Sequence, residues 1–321
     1  VLLEHPVEPR HNVGDEGEEK LCVYNTALDC PSQQGYEPDA PEAQGRVGRD
    51  GMSLGTLRDL DALFQGRDLE KIEVFFATPD GTLNWVAQYI VYAERRGIPQ
   101  ERLRLKAGNT TYRSWFWDTA AYPPKHALKL CAELIAYLTK HVPMAQVQSI
   151  EGYNPSEAGG TPVQEVAFCL ATAITIAEEC IKVGLNPDDF LPKFHGHNHT
   201  SLDLFETVAK FRTMRRMWAK IFKQRFGCKN PEALRFRIYP QTGGSLLHRK
   251  EPENNIIRVT IMALAQVLGG TDGVWTASYD ECSNIPSEKA AQTALRTQQI
   301  IYHQTNTPAA ADPLRGSHHV E

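Results

Sequence analysis

The sequence has no pair of cysteines at metal-binding spacing. Its seven cysteines, at 22, 30, 131, 169, 180, 228 and 282, are odd in number, scattered and free of any CxxC. That argues against structural zinc and against a disulfide framework, and it suits a reducing compartment. Positive charge is short as well: 34 Lys and Arg stand against 39 Asp and Glu, a net charge of −5. An acidic chain has no electrostatic reason to take nucleic acid or an anionic membrane as its partner. No apolar run approaches the ~18 residues that a membrane span requires, and no signal peptide opens the chain. The expected location is the cytoplasm, or an organelle matrix if a transit peptide has been removed. No GxGxxG or GxxxxGK[ST] follows the first strand, so the usual nucleotide-fold signatures are missing.

What is present is a globular chain of 321 residues, 41% hydrophobic and 23% charged, long enough to bury a large core. Residues 1–20 are acidic, broken by Pro and Gly and without periodicity, and read as an irregular arm. Regular patterning then runs over 21–321. Strands are expected at 21–25, 72–77, 103–106, 146–150, 190–194, 234–238 and 274–277, with a weak last one at 309–311. Helices are expected near 54–64 and at 83–96, 125–140, 163–183, 202–225, 254–268 and 288–304. Short strands alternating with helices call for parallel pairing through right-handed crossovers. The repeat predicts an α/β fold, a (β/α)8 TIM barrel, over a doubly wound open sheet.

The chain is organised around Ser149–Thr161, where an apolar run delivers Glu151, Tyr153, Asn154 and Glu157 and two glycines precede a long helix. A strand that ends in polar side chains and turns through glycine into a helix is how such barrels build sites. Collecting the strand ends brings Asp80, Asn109, Trp117, Tyr153, Asn154, Glu157, His195, His197, Tyr239, Gln241 and Glu281 together. The set is rich in amides and aromatics, suited to holding a substrate by hydrogen bonds and excluding water rather than to hydrolysis. His195, His197 and His199 alternate and so share one strand face. They read either as hydrogen-bonding residues at a rim or as a metal site centred on His195 and His197. Trp115-Phe116-Trp117 either walls a ligand or packs beneath a loop. The basic run at 211–225 carries Phe211, Met214 and Trp218 at helical spacing, the signature of a solvated face opposite a core stripe.

Longer motifs carry a resemblance. E-G-Y-N-P-S-E-A-G-G (151–160) resembles the S-G-Y-H-x-x-E-A-G segment in the large subunit of coenzyme B12-dependent acyl-CoA mutases, the methylmalonyl-CoA mutase family. D-T-A-A-Y-P-P (118–124) is similar to that family's N-T-Y-I-Y-P-P, and A-K-F-R-T-M-R-R-M-W-A-K (209–220) to its A-K-F-R-A-A-R-R-M-W-A. F-G-C-K-N-P…Y-P-Q-T-G-G-S-L (226–246) resembles F-G-P-K-N-P…H-S-Q-T-S-G-W-S-L. Segments 254–281 and 312–321 follow in the right order. The resemblance implies a barrel that admits the pantetheine arm of an acyl-CoA, with adenosylcobalamin as cofactor and a radical 1,2-rearrangement as the reaction. The D-x-H-x-x-G signature of a cobalamin-binding domain does not occur in the sequence, so a small cobalamin-binding subunit is the expected partner, in a homo- or hetero-oligomer.

Carried over position by position, the departures say more than the matches. The histidine that hydrogen-bonds the thioester carbonyl falls on Asn154, beside Tyr153; an amide still donates a hydrogen bond but does not donate a proton. The arginine that binds the carboxylate of methylmalonyl-CoA falls on Trp117, and an indole cannot pair with a carboxylate. Q-N-D becomes Ala107-Gly108-Asn109, and Lys193, His195 and Tyr239 replace an arginine, a serine and a histidine of the substrate side. Of the adenosine-facing set, Gln241 and Glu281 remain, while an asparagine becomes Ala277. The expected function is a mutase acting on an acyl-CoA other than methylmalonyl-CoA. A non-catalytic binding or assembly subunit, and a barrel using His195 and His197 for metal-dependent chemistry, stand as alternatives.

Overall fold

The computed structural model describes residues 10–11, 22–49, 51–77, 81–110, 122–283 and 286–321. Asp80, Trp115–Trp117 and all of the expected N-terminal arm except Arg10 and His11 lie outside the described residues. The chain divides into two compact units, residues 1–149 with 175–194 and residues 150–174 with 195–321.

In the first unit, β1 (Arg10–His11), β2 (Cys22–Thr26), β3 (Ile72–Phe76) and β4 (Arg104–Ala107) form a sheet in that order. β1 pairs antiparallel to β2, so a piece of the expected irregular arm is an edge strand. β2–β3 and β3–β4 are parallel, as the intervening helices require. Helix α1 (Cys30–Gln34) and helix α2 (Leu57–Leu63) lie between β2 and β3, α3 (Thr82–Arg95) between β3 and β4, and α4 (Pro124–His141) after β4. Beyond β4 the ladder continues, with Ala107 N–H donating to Gln146 O at 2.8 Å and Val147 N–H to Lys193 O at 2.9 Å. The sheet buries Val74, Phe76 and Leu105 against the α3 stripe of Trp85, Val86, Tyr89 and Ala93. Phe76 meets the rings of Trp85 and Tyr89 at 5.8 and 5.4 Å. Each such aromatic pair adds ~0.5–1.5 kcal/mol beyond its area burial.

The second unit holds the segment the sequence is organised around. β5 (Gln148–Glu151), which begins in the first unit, forms a sheet with β6 (Phe194–His197) and β8 (Arg237–Ile238), and β7 (His199–Thr200) pairs with β9 (Gln241–Thr242). Both registers are parallel, His195 opposite Arg237 and His199 opposite Gln241. β6 and β7 are one strand path interrupted at Asn198, and β8 and β9 one path interrupted at Tyr239-Pro240, where proline supplies no N–H. Helix α5 (Tyr153–Glu157) follows β5. Helix α6 (Pro162–Lys182) opens on a reciprocal cap, with Thr161 N–H donating to Gln164 and Gln164 N–H donating back to Thr161 Oγ1. Helices α8 (Leu204–Gln224), α9 (Asn254–Leu268) and α10 (Glu288–Gln304) belong to this unit, while α7 (Pro187–Phe190) belongs to the first.

The basic run behaves as expected. Phe211, Met214, Trp218 and Phe222 are fully buried on α8, and Trp218 stacks on Phe236 at 4.3 Å and 14°. Three strand expectations fail. Residues 190–193 are helical, because Asn186 caps a turn begun by Pro187 and Leu191–Lys193 add a 3-10 turn, so the strand starts only at Phe194. Residues 274–277 contribute one bridge, Trp275 to Gln241, rather than a strand. At 309–311 the chain ends a 3-10 turn over Thr307–Ala309 and bends. Pro308 accounts for the last, since it both fixes φ and removes a ladder donor. The α/β class stands.

Candidate functional site

The site begins with Gly152. A Cβ there would lie 2.6 Å from Asn198 Nδ2, 2.7 Å from Cys169 Sγ and 2.8 Å from Glu165 Cγ, so only glycine lets β5 turn into α5 this close to its neighbours. Behind that turn lies a buried polar knot. Glu165, 1% exposed, accepts Asn198 Nδ2 at 3.1 Å and His199 N–H at 3.0 Å on one oxygen. Its other oxygen accepts Ser156 Oγ at 2.8 Å and Lys210 Nζ at 2.6 Å. Lys210 also donates to the His199 carbonyl at 2.5 Å, so one buried ion pair clamps both backbone groups of His199.

The opposite face of the same strand carries the histidines. His197 Nδ1 sits 3.0 Å from both oxygens of Glu151, a carboxylate 2% exposed, and Nε2 sits 3.1 Å from Gln241 Oε1. Its ring packs against Tyr153 (5.2 Å, 24°) and Trp275 (5.6 Å, 35°). His199 Nε2 is 3.0 Å from Glu157 Oε1, a close contact without hydrogen-bond alignment, and its ring leans on Tyr153 at 5.7 Å. Glu157 also accepts the Ser245 N–H at 2.8 Å. Burial raises the Glu157 carboxyl, but the His199 and Ser245 contacts outweigh it and hold it below the ordinary carboxylate range. Burial, with Glu157, Glu281 and Glu151 nearby, pushes the Tyr153 hydroxyl well up, so it is a neutral phenol that accepts the Gly244 N–H at 3.2 Å. A Cβ on Gly244 would fall within 3.3 Å of Tyr153 Oη, 3.6 Å of Glu157 Oε2 and 3.8 Å of Glu281 Oε1, which marks the loop after β9 as the point where these groups converge.

Asn154 is 4% exposed on α5, and its Nδ2 has no hydrogen-bond partner among the described residues. His195 is buried and meets Tyr239 edge-on at 5.8 Å. Of the residues grouped from sequence, the structure brings Tyr153, His197, Gln241 and Glu281 together and places Asn154 in the same α5 turn. Asn109 and Lys193 belong to the first unit. Asn109 holds a left-handed φ of 48° and donates to Cys131 Sγ at 3.2 Å. Lys193 donates to the Pro143 carbonyl at 2.6 Å, and burial draws its ammonium below the ordinary lysine value. Trp117 lies outside the described residues. Among the described residues no group of three or more His, Cys, Asp or Glu could hold a metal ion.

Sequence reasoning missed the pairings of Glu151, Glu157 and Glu165, and it missed Trp275. One signal was available. Lys210 falls on the buried stripe of α8 between Val208 and Phe211, and a lysine there must find a carboxylate.

A family profile described as methylmalonyl-CoA mutase matches residues 13–321. The chain belongs to the methylmalonyl-CoA mutase family. It is 38% identical to the 2-hydroxyisobutanoyl-CoA mutase large subunit of Aquincola tertiaricarbonis over 92% of this chain and 53% of that protein. It is 35% identical to methylmalonyl-CoA mutase of Escherichia coli K12 over 95% of this chain and 42% of that protein. Against the human mitochondrial methylmalonyl-CoA mutase the identity is 34%, over 95% of this chain and 40% of that protein. The chain thus spans about half the length, or less, of the curated relatives it matches. Among the described residues no helix is long and apolar enough to cross a membrane.

Proposed function

We propose that the chain is the acyl-CoA-binding part of an adenosylcobalamin-dependent mutase whose substrate is an acyl-CoA other than methylmalonyl-CoA. On this reading a separate small subunit holds most of the cobalamin, and residues 21–321 close into one (β/α)8 barrel. The parallel registers of β2–β3, β3–β4, β6–β8 and β7–β9 support the barrel.

One observation carries the functional reading: the buried amide donor of Asn154, without a partner among the described residues, in the motif whose family counterpart holds the thioester-binding histidine. Leaving such a donor without a partner costs ~1–3 kcal/mol, which a ligand carbonyl would recover. A neutral acyl thioester oxygen fits it. The adenosyl group also fits the residues present, since Glu281 and the Tyr153 hydroxyl near Gly244, with the amide of Gln241, supply acidic and neutral partners for ribose hydroxyls. Radical initiation is the chemistry adenosylcobalamin supplies when bound. The chain's own part is to orient the thioester through Asn154, hold Gln241 and Glu281 in place, and exclude water with the Tyr153 and Trp275 rings.

Substrate choice rests on Trp117. An unpaired carboxylate in a dry site costs several kcal/mol, roughly a thousandfold or more in binding, and an indole cannot relieve that. An uncharged acyl group is therefore favoured, and the 2-hydroxyisobutanoyl substrate in the name of one relative is of that kind. The test is a panel of acyl-CoAs assayed with a cognate small subunit and adenosylcobalamin, alongside Trp117→Arg. Turnover of methylmalonyl-CoA by the unaltered chain equal to that of any neutral acyl-CoA would overturn the reading.

A further inference from the structure

Glu151, His197 and Gln241 form a continuous hydrogen-bonded chain that no motif of the family accounts for, since the matching motif opens on serine where this chain has Glu151. The His197 ring is held at both nitrogens by these contacts, and the Tyr153 and Trp275 rings pack against it. An ionised carboxylate only accepts hydrogen bonds, so Glu151 requires a proton on Nδ1. The one variable left is Nε2. Carrying a proton, it donates to Gln241 Oε1, the contact present at 3.1 Å, and the amide –NH2 is turned away from the ring. Without that proton, Nε2 accepts, only the amide –NH2 can satisfy it, and Oε1 is turned away instead.

We propose that Glu151 and His197 are positioning residues that set which end of the Gln241 amide a bound ligand meets. With Nε2 protonated, Gln241 offers a donor to an ether, carbonyl or ring-nitrogen acceptor. With Nε2 bare, it offers an acceptor to a hydroxyl. The groups that bear on the exchange are Glu151 from β5, Tyr153 and Glu157 from α5, His199 from β7 and Glu281 beyond Trp275. The proposal rests on the reading of Gln241 as an adenosine-facing residue only for the identity of the ligand, not for the coupling itself.

The coupling is read directly in the full chain labelled with [15N]-His and [15N]-Gln, followed by NMR from pH 5.5 to 8.5. The expected result is that Nδ1 keeps its proton throughout, Nε2 titrates, and the Gln241 –NH2 signals move with the same midpoint. In Glu151→Gln the Nδ1 proton loses its carboxylate acceptor, and the Gln241 –NH2 signals are expected to move away from their wild-type positions. The double variant Glu151→Ser/His197→Phe removes both charged ends, leaves no buried ion unpaired, and should make the Gln241 signals independent of pH. Gln241 signals that ignore His197, or that still titrate in the double variant, overturn the proposal. Titration of 5′-deoxyadenosine into the same samples separates the two ideas. If it fails to bind every form, the adenosine reading of Gln241 falls, while the label signals still decide the dyad.

Discussion

The two faces of the β6–β7 strand path put their charges to opposite uses. On one face Glu165 and Lys210 are closed off, each buried and each with its hydrogen-bonding capacity turned to protein partners. On the other, Glu151 and Glu157 face imidazoles at a partly open rim, and the neighbouring Asn154 has a donor with nothing in the described structure to receive it. A satisfied polar network rigidifies; an unsatisfied one waits for a ligand. The strand's period of two is the cause, since it sends Asn198 to the knot and His197 and His199 to the rim.

Breaking the closed face should give the largest effect. Lys210→Met leaves Glu165 charged and unpaired in the interior and is expected to cost ~3–5 kcal/mol in urea unfolding. Lys210→Met with Glu165→Gln should recover much of that, and a double variant as unstable as the single would refute the pairing as its cause. Gly152→Ala drives a Cβ onto Asn198, Cys169 and Glu165 at once, with an expected cost of ~1–3 kcal/mol by the same assay.

The open face should respond to pH and to ligand more than to unfolding. Because the Glu157 carboxyl is held below its ordinary value, its stabilising contribution is full above the unfolded carboxyl range and is lost as pH falls through its lower folded value. The stability gap between the wild type and Glu157→Gln should therefore narrow on acidification below about pH 4. A gap unchanged from pH 7 to pH 3 would show that the charge of Glu157 contributes nothing. Asn154→Ala should have the smallest effect on folding, neutral or up to ~1 kcal/mol stabilising, since it deletes an unmade hydrogen bond. The same change should weaken acyl-CoA binding by isothermal titration, and equal loss of stability and of binding would mark Asn154 as structural.

Much of the frame was legible because periodicity reports burial. The long helices fall close to their expected bounds, α9 at Asn254–Leu268 and α10 at Glu288–Gln304 without a residue's difference. The 190–194 segment misled because its apolar residues, Phe190 and Leu191, are buried from a helical turn, and short apolar runs do not distinguish strand from helix. Trp275 was passed over because one bridge residue in a weak strand carries no local signal.

The sequence by itself determined the α/β class, the family, the helical faces and the location of the polar segment at Glu151–Glu157, since each is written in local pattern and motif. Only the tertiary structure decided how the charges are shared out. Glu151, Glu157 and Glu165 lie within fifteen residues of one another, yet one binds His197, one faces His199 and one locks Lys210. Those partners are 46, 42 and 45 residues distant along the chain, by their numbering. Hydrogen bonds act over about 3 Å of space, and sequence separation carries no record of which carboxylate will come that close to which base.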